Sequence, residues 1–161
     1  MAFVDVYFSL GSNLGDRQRN ILEALALMDE ALGVHYSALS RLIETEPWGD
    51  GVSGTFINAC VRYRLFKEKD VAAQAMRVLR QCQEIERRLG RTGGVEYAAN
   101  GKRIYHDRPI DVDILFWGAE HIETEALTVP HPLVGERDFV LIPLRQIAKP
   151  ALKRAFPDLF D

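Results

Sequence analysis

Cysteine is scarce in this chain of 161 residues: there are two, Cys60 and Cys82. They fall in a predicted strand and a predicted helix and form no C-x-x-C pair, so two buried free thiols of a reducing compartment are the simplest reading. A chain of this length buries enough core to need no disulfide. No stretch approaches the apolar length that spans a bilayer, and the opening Met1-Ala2-Phe3-Val4-Asp5 carries no basic segment of the signal-peptide kind, so the expected location is the cytoplasm. Basic charge is not in excess either: 20 Lys and Arg against 23 Asp and Glu give a net charge of −3. That balance removes the electrostatic case for a nucleic-acid partner. A phosphate-binding P-loop is also missing. Gly11-Ser12-Asn13-Leu14-Gly15-Asp16 follows a predicted strand and opens a predicted helix, but it lacks the lysine and the Ser/Thr spacing, and a tight turn capped by Asp16 accounts for its glycines.

What is present is ordinary in amount and specific in pattern. With 47% hydrophobic and 27% charged residues, the chain reads as one globular domain over residues 1–161. Phe3 to Leu10 is a strand with Val4, Val6, Phe8 and Leu10 on one face. A helix follows, capped by Asp16, striped by Ile21, Leu25, Met28 and Leu32, and stopped at Gly33. A strand is expected from His35 to about Thr45, then a glycine-rich loop from Pro47 to Gly54. Phe56 to Leu65 is the next strand; Ile57, Ala59, Val61, Tyr63 and Leu65 form its core face, which leaves Phe56 and Asn58 together on the other. The second helix runs from Asp70 to Leu89 with Val71, Ala75, Leu79, Cys82, Ile85 and Leu89 buried, and Gln83 and Glu86 lie off that stripe. A long polar stretch from Arg91 to Asp107 has no sustained periodicity. After the next strand, an extended Leu127 to Pro132 leads to a short helix around Val134 to Ile142, and the tail from Lys149 is weakly patterned.

The order strand, helix, strand, strand, helix, strand predicts an α+β fold, a ferredoxin-like antiparallel sheet with a βαββαβ core, both helices on one face and a C-terminal extension. The opposite face is then expected to be free.

The densest chemical signal is Arg108-Pro109-Ile110-Asp111-Val112-Asp113-Ile114-Leu115-Phe116. On a strand Asp111 and Asp113 project from one side about 7 Å apart, with Ile110, Val112 and Ile114 on the other. Two like charges in so apolar a run need a cation or hydrogen bonds to offset lost hydration, and paired hard oxygens suit Mg²⁺ with substrate phosphates. The residues alone leave open which phosphoryl or nucleotidyl transfer is catalysed. They argue against a nucleic-acid module on an open sheet, which needs a basic, stacking face. His35, His106, His121 and, from its own surroundings, His131 read as surface histidines.

Taken in order, Leu10-Gly11-Ser12-Asn13-Leu14-Gly15, Phe56-Ile57-Asn58-Ala59, Gln83 and Glu86 with Arg91, Arg108-x-x-Asp111-x-Asp113, and Val129-Pro130-His131-Pro132 followed by Arg137-x-Phe139 resemble the 6-hydroxymethyl-7,8-dihydropterin pyrophosphokinase family. The resemblance spans nearly the whole chain. It implies an enzyme of folate biosynthesis that moves pyrophosphate from ATP to a pterin alcohol, with two Mg²⁺ ions on Asp111 and Asp113. It further implies phosphate contacts from Arg91, Arg108, His131 and Arg137, the first two being catalytic along with the aspartates. Gln83, Glu86, Ile114, Leu127 and Thr128 correspond to the nucleotide site, and Thr45, Trp48, Phe56, Asn58, Tyr105 and Phe139 to the pterin pocket. The chain departs from the family in a longer loop before Tyr105-His106-Asp107-Arg108, where Lys102 and Arg103 are alternative phosphate contacts, and in Ala126, which stands where some members have a basic residue. The expected partners are the two small substrates, without nucleic acid or membrane, and the expected state is a monomer.

Overall fold

The structure is a computed structural model that describes residues 2–46, 54–90, 96–97, 99–101, 103–104 and 107–160, the two short pairs 96–97 and 103–104 by their backbone. Along the chain these are strand β1 (Phe3–Ser12), helix α1 (Arg17–Leu32), strands β2 (Ala38–Leu39), β3 (Ile43–Thr45) and β4 (Phe56–Phe66), and helix α2 (Val71–Arg88). Strands β5 (Glu96–Tyr97), β6 (Arg103–Ile104), β7 (Asp111–Trp117), β8 (Ile122–Glu123) and β9 (Thr128–Val129) follow, then helices α3 (Asp138–Ile147) and α4 (Pro150–Ala155). The main sheet runs β2-β4-β1-β7, with β3 also paired to β4, and its pairings are antiparallel. The pairs β5-β6 and β8-β9 are separate two-stranded sheets.

The two long helices form where the sequence places them. Asp16 and Asp70 accept from the Arg19 and Ala73 amides as N-caps, and Gly33 ends α1 at φ 73°, a left-handed conformation that a Cβ resists. Their stripes pack on one face of the sheet. Val4, Val6, Phe8 and Leu10 of β1, Val61, Tyr63 and Leu65 of β4, and Val112 and Ile114 of β7 meet Ile21, Leu25, Met28, Val78, Cys82 and Ile85 of the helices. Each fully buried large side chain contributes about 1.5–3 kcal/mol, so this layer carries most of the stability.

The opposite face is not free, which corrects the sequence expectation. Tyr7, Cys60, Leu115 and Phe116 form a second core with Val140, Leu141, Leu144 and Ile147 of α3 and Leu152 of α4. The cause lies in the strands themselves, whose second faces are apolar at one end. The Arg62 guanidinium donates to the Ile147 carbonyl at the end of α3 (2.6 Å), and the Lys149 amide donates to the Tyr7 hydroxyl (3.0 Å). Helix α3 therefore lies over half of this face and leaves the other half open.

Three further boundaries move. The strand expected over residues 35–45 is two short pieces, because at Ser40 the hydroxyl accepts from the Cys60 amide (2.8 Å) while the Ser40 amide still donates to the Cys60 carbonyl (2.9 Å), and the Arg41 amide turns to the Gln146 side chain of α3 (2.8 Å). The helix expected around Val134 to Ile142 breaks at Arg137, where φ −119° and ψ 98° separate a 3₁₀ turn from α3. The tail is helical, with Pro150 at the first turn of α4. Both cysteines are free and buried, and burial pushes each thiol well above its ordinary value. Among the described residues no helix is long and apolar enough to cross a membrane.

Asp29, near the end of α1, ties the first core together: its carboxylate accepts from the buried Tyr63 hydroxyl (2.6 Å) and meets His35 Nδ1 (2.6 Å). Burial pushes its pKa up, but the hydrogen bonds from Tyr63 and His35, the nearby imidazole charge and the Tyr36 amide outweigh that and hold it below the usual carboxylate range. A carboxylate depressed in the folded state contributes stability above its unfolded value, about pH 4, and the contribution is lost as pH falls through the folded one. Asp29→Asn is expected to lose about 1–3 kcal/mol at neutral pH. The gap between the two melting curves, followed by circular dichroism, should close below about pH 4; a constant gap would remove Asp29 from the acid response.

Candidate active site

The half of the sheet that α3 leaves open is the floor of a cavity enclosing about 650 Å³, its solvent-filled mouth included. Register builds that floor. Gly11 of β1 stands opposite Asn58 of β4 on one side and opposite Asp111 of β7 on the other, and Ser9 likewise faces Cys60 and Asp113. Thr45 of β3 pairs with Phe56. Because side chains alternate, Phe56, Asn58, Ser9, Gly11, Asp111 and Asp113 share this face, and each lines the cavity.

Gly11 permits the arrangement. A Cβ there would lie 2.8 Å from Asn58 Oδ1 and 3.5 Å from the Phe56 ring, so a side chain at this position displaces the amide. Asn58 is 6% exposed, and its Nδ2 donates to the Thr45 hydroxyl, which fixes the amide's orientation and leaves a further donor and the carbonyl oxygen.

The walls come from three other segments. Arg108, which precedes β7, holds its guanidinium 5.0 Å above the Phe56 ring centre and 3.7 Å from Asp111 Oδ2. Arg137, 8% exposed at the break before α3, sits 5.6 Å from the Phe139 ring. His131 follows the cis Val129–Pro130 peptide; its amide donates to the Leu115 carbonyl (3.0 Å), and its Nδ1 accepts from the Leu133 amide (3.1 Å). That bond leaves Nε2 as the proton-bearing nitrogen of the neutral ring, a hydrogen-bond donor. Arginine forks and an imidazole N–H are groups that hold phosphate oxygens.

Among the described residues no group of three or more His, Cys, Asp or Glu gathers as a metal cage. The Asp111 and Asp113 pair is the smaller set that Mg²⁺ uses when substrate phosphates and water complete its shell. Both are half-buried, with Asp111 21% exposed, so their oxygens reach the cavity. The donor set therefore fits a hard divalent cation brought in with a polyphosphate.

Of the residues singled out from sequence, Thr45, Phe56, Asn58, Arg108, Asp111, Asp113, His131, Arg137 and Phe139 meet in this cavity. Trp48, Arg91 and Tyr105 lie outside the described residues, as do Lys102 and His106. Five others are placed elsewhere. Ile114 and Leu127 are buried in the first core, Gln83 and Thr128 are exposed, and Glu86 accepts from the Val112 amide (2.9 Å), tying α2 to the strand between the two aspartates. Sequence reasoning missed Ser9, Gly11 and Glu46 as lining residues. Alternation along β1 carried the signal for the first two, since putting Phe8 and Leu10 in the core turns Ser9 and Gly11 to the other face. Glu46, at the edge of a glycine-rich stretch, carried none.

Comparison with known proteins gives a consistent picture. The model of the 7,8-dihydro-6-hydroxymethylpterin-pyrophosphokinase family matches residues 7–149. The 2-amino-4-hydroxy-6-hydroxymethyldihydropteridine pyrophosphokinase of Porphyromonas gingivalis is 43% identical over 145 residues, 89% of this chain and 90% of that protein. The Bacillus subtilis protein of the same name is 36% identical over 149 residues, 92% of this chain and 81% of its own length. A crystal structure of an HPPK-DHPS protein in complex with substrates matches in fold with a TM-score of 0.64 at 14% identity, over 98% of this chain and 43% of that one.

Gly11→Ala tests the packing of the floor. It is expected to cost about 1–3 kcal/mol, as overpacking at a tight site does, and to move the Asn58 side-chain amide resonance as its bond to Thr45 breaks. An unshifted resonance with an unchanged melting temperature would contradict the close approach.

Proposed function

The chain belongs to the 7,8-dihydro-6-hydroxymethylpterin-pyrophosphokinase family, and from that membership we propose that the cavity over β3, β4, β1 and β7 is where the family's reaction takes place. The enzyme is an ATP-dependent diphosphotransferase of folate biosynthesis: it transfers pyrophosphate from ATP to the hydroxymethyl group of 6-hydroxymethyl-7,8-dihydropterin, and AMP leaves. The observation that carries the placement is the meeting of Asp111 and Asp113 with Asn58, Phe56 and two arginines around one opening.

In our reading the flat pterin lies between the Phe56 and Phe139 rings, where an aromatic wall replaces water at little entropic cost. Asn58, pre-set by Thr45, presents a donor and an acceptor to the amide-like edge of the bicycle. Trp48 and Tyr105 complete this pocket. Arg91, Arg108, His131 and Arg137 hold the phosphates; Gln83, Glu86, Ile114, Leu127 and Thr128 lie outside this cavity, and their part in framing the nucleotide is carried by the family resemblance alone. Asp111 and Asp113 would hold two Mg²⁺ ions, which when bound would neutralise phosphate charge and lower the pKa of the attacking hydroxyl. The arginines stabilise the charge that builds on the departing AMP oxygen, and among the described residues no side chain identifies itself as a dedicated base.

We read the β1-α1-β3-β4-α2-β7 order as a ferredoxin-like core and residues 1–161 as a single pyrophosphokinase domain, a reading supported by the antiparallel order of the sheet. It works in our proposal as a cytoplasmic monomer on small molecules alone, consistent with its two free buried thiols.

Incubating the protein with MgATP and the pterin alcohol should yield AMP in step with pterin diphosphate, and excess EDTA should stop it. Asp111→Asn and Asp113→Asn are each expected to lower kcat by at least about 100-fold with the fold retained by circular dichroism; each removes one of two like charges, and Asp111→Asn also removes the carboxylate that Arg108 meets at 3.7 Å. ADP or free pyrophosphate as the product, or full turnover in both variants, would refute the assignment.

A further inference from the structure

We infer that Asn13, in the stretch whose sequence reads as a plain turn, is a positioning residue that fixes Arg108 at the mouth of the cavity. The inference rests on the role given to Arg108 above. Asn13 is 8% exposed and belongs to neither apolar core, so packing does not explain it. Its bonds do. The Asn13 amide donates to the Arg108 carbonyl (3.1 Å), and Asn13 Oδ1 accepts from the Arg108 amide (2.7 Å). One residue thus holds both backbone polar groups of a partner 95 positions away. Asn13 Nδ2 donates to Asp107 Oδ1 (2.8 Å) and faces the Gly54 carbonyl at 3.5 Å.

These contacts specify the residue type. Oδ1 has to accept from an N–H and Nδ2 has to donate to a carboxylate, an arrangement an asparagine side chain meets and an aspartate reverses at Asp107. Pro109 restricts the Arg108 backbone to extended conformations from the other side. With the backbone held at both ends, the guanidinium has one origin from which to reach the Phe56 ring at 5.0 Å and Asp111 at 3.7 Å. Phosphoryl transfer depends on such placement, where a displacement of about 1 Å costs about 100-fold.

The test is a set of variants in the full chain, assayed for AMP with MgATP and the pterin alcohol. Asn13→Ala is expected to lower kcat about 10- to 100-fold while the KM for the pterin stays within about threefold. Combined with Arg108→Ala it should add little to the loss of Arg108→Ala alone, because both remove the same placed group. Asn13→Asp should be impaired by repulsion from Asp107, and Asn13→Asp with Asp107→Asn should recover most of the activity, since the exchanged pair again supplies a donor against an acceptor. Full activity in Asn13→Ala, additive losses with Arg108→Ala, or a swap no better than Asn13→Asp would each overturn the inference. Absence of AMP from the unaltered protein, or an inert Arg108→Ala, would instead overturn the reading of the site on which it stands.

Discussion

Everything at the site depends on the register of β1 between its two neighbours. Gly11 is paired with Asn58 on one side and with Asp111 on the other, so an amide and a carboxylate from segments far apart in sequence stand in one row across three strands. A slip of one residue on either side would turn one of them into the helix-covered core, because side chains alternate along a strand. The apolar residues between them prevent the slip: Val112 and Ile114 on β7, and Val61 and Tyr63 on β4, are buried under α1 and α2. The same hydrophobic burial that stabilises the sheet therefore sets the geometry of the chemistry. A glycine at the centre of the row gives the row its depth, since any Cβ there would occupy the space of Asn58 Oδ1.

The second face of the sheet is divided between two uses, and the division follows from composition. Tyr7, Cys60, Leu115 and Phe116 present an apolar patch that α3 covers. Ser9, Asn58, Asp111 and Asp113, two or four residues further along the same strands, present polar groups that a helix could not bury without leaving donors and acceptors unpaired. The helix stops where the apolar patch stops. Its first turn then adds to the site: the break at Arg137 that separates α3 from the preceding 3₁₀ turn puts Arg137 and Phe139 over the opening. Packing and the lining of the cavity meet at one residue, and a straight helix through Val134 would carry that guanidinium elsewhere.

This explains which parts could be read from sequence. The facing of Asp111 with Asp113, and of Phe56 with Asn58, needs only alternation along a strand, and the helix stripes with their Asp16 and Asp70 caps need only a 3.6-residue period. The place of α3 was not legible, because Tyr7 and Cys60 look like ordinary strand residues until a partner for their face is known. Ser40 was not legible either: a serine in a predicted strand gives no sign that its hydroxyl replaces a ladder bond. Asn13 was hidden differently. Its motif has the glycines and the cap of a turn, and its partners Gly54, Asp107 and Arg108 become neighbours through the fold alone.

Glu86 shows how one side chain reconciles an exposed strand with an open site. Strand β7 is the end of the main sheet, and its outward N–H groups would invite another strand to add there. Glu86 takes the Val112 amide instead, from a helix already packed on the same strand. The carboxylate thereby satisfies the edge at the residue between Asp111 and Asp113 without a further strand. Strand β7 is thus stabilised on one face by its apolar neighbours and carries on the other two carboxylates that point to the cavity, one of them 3.7 Å from the Arg108 guanidinium.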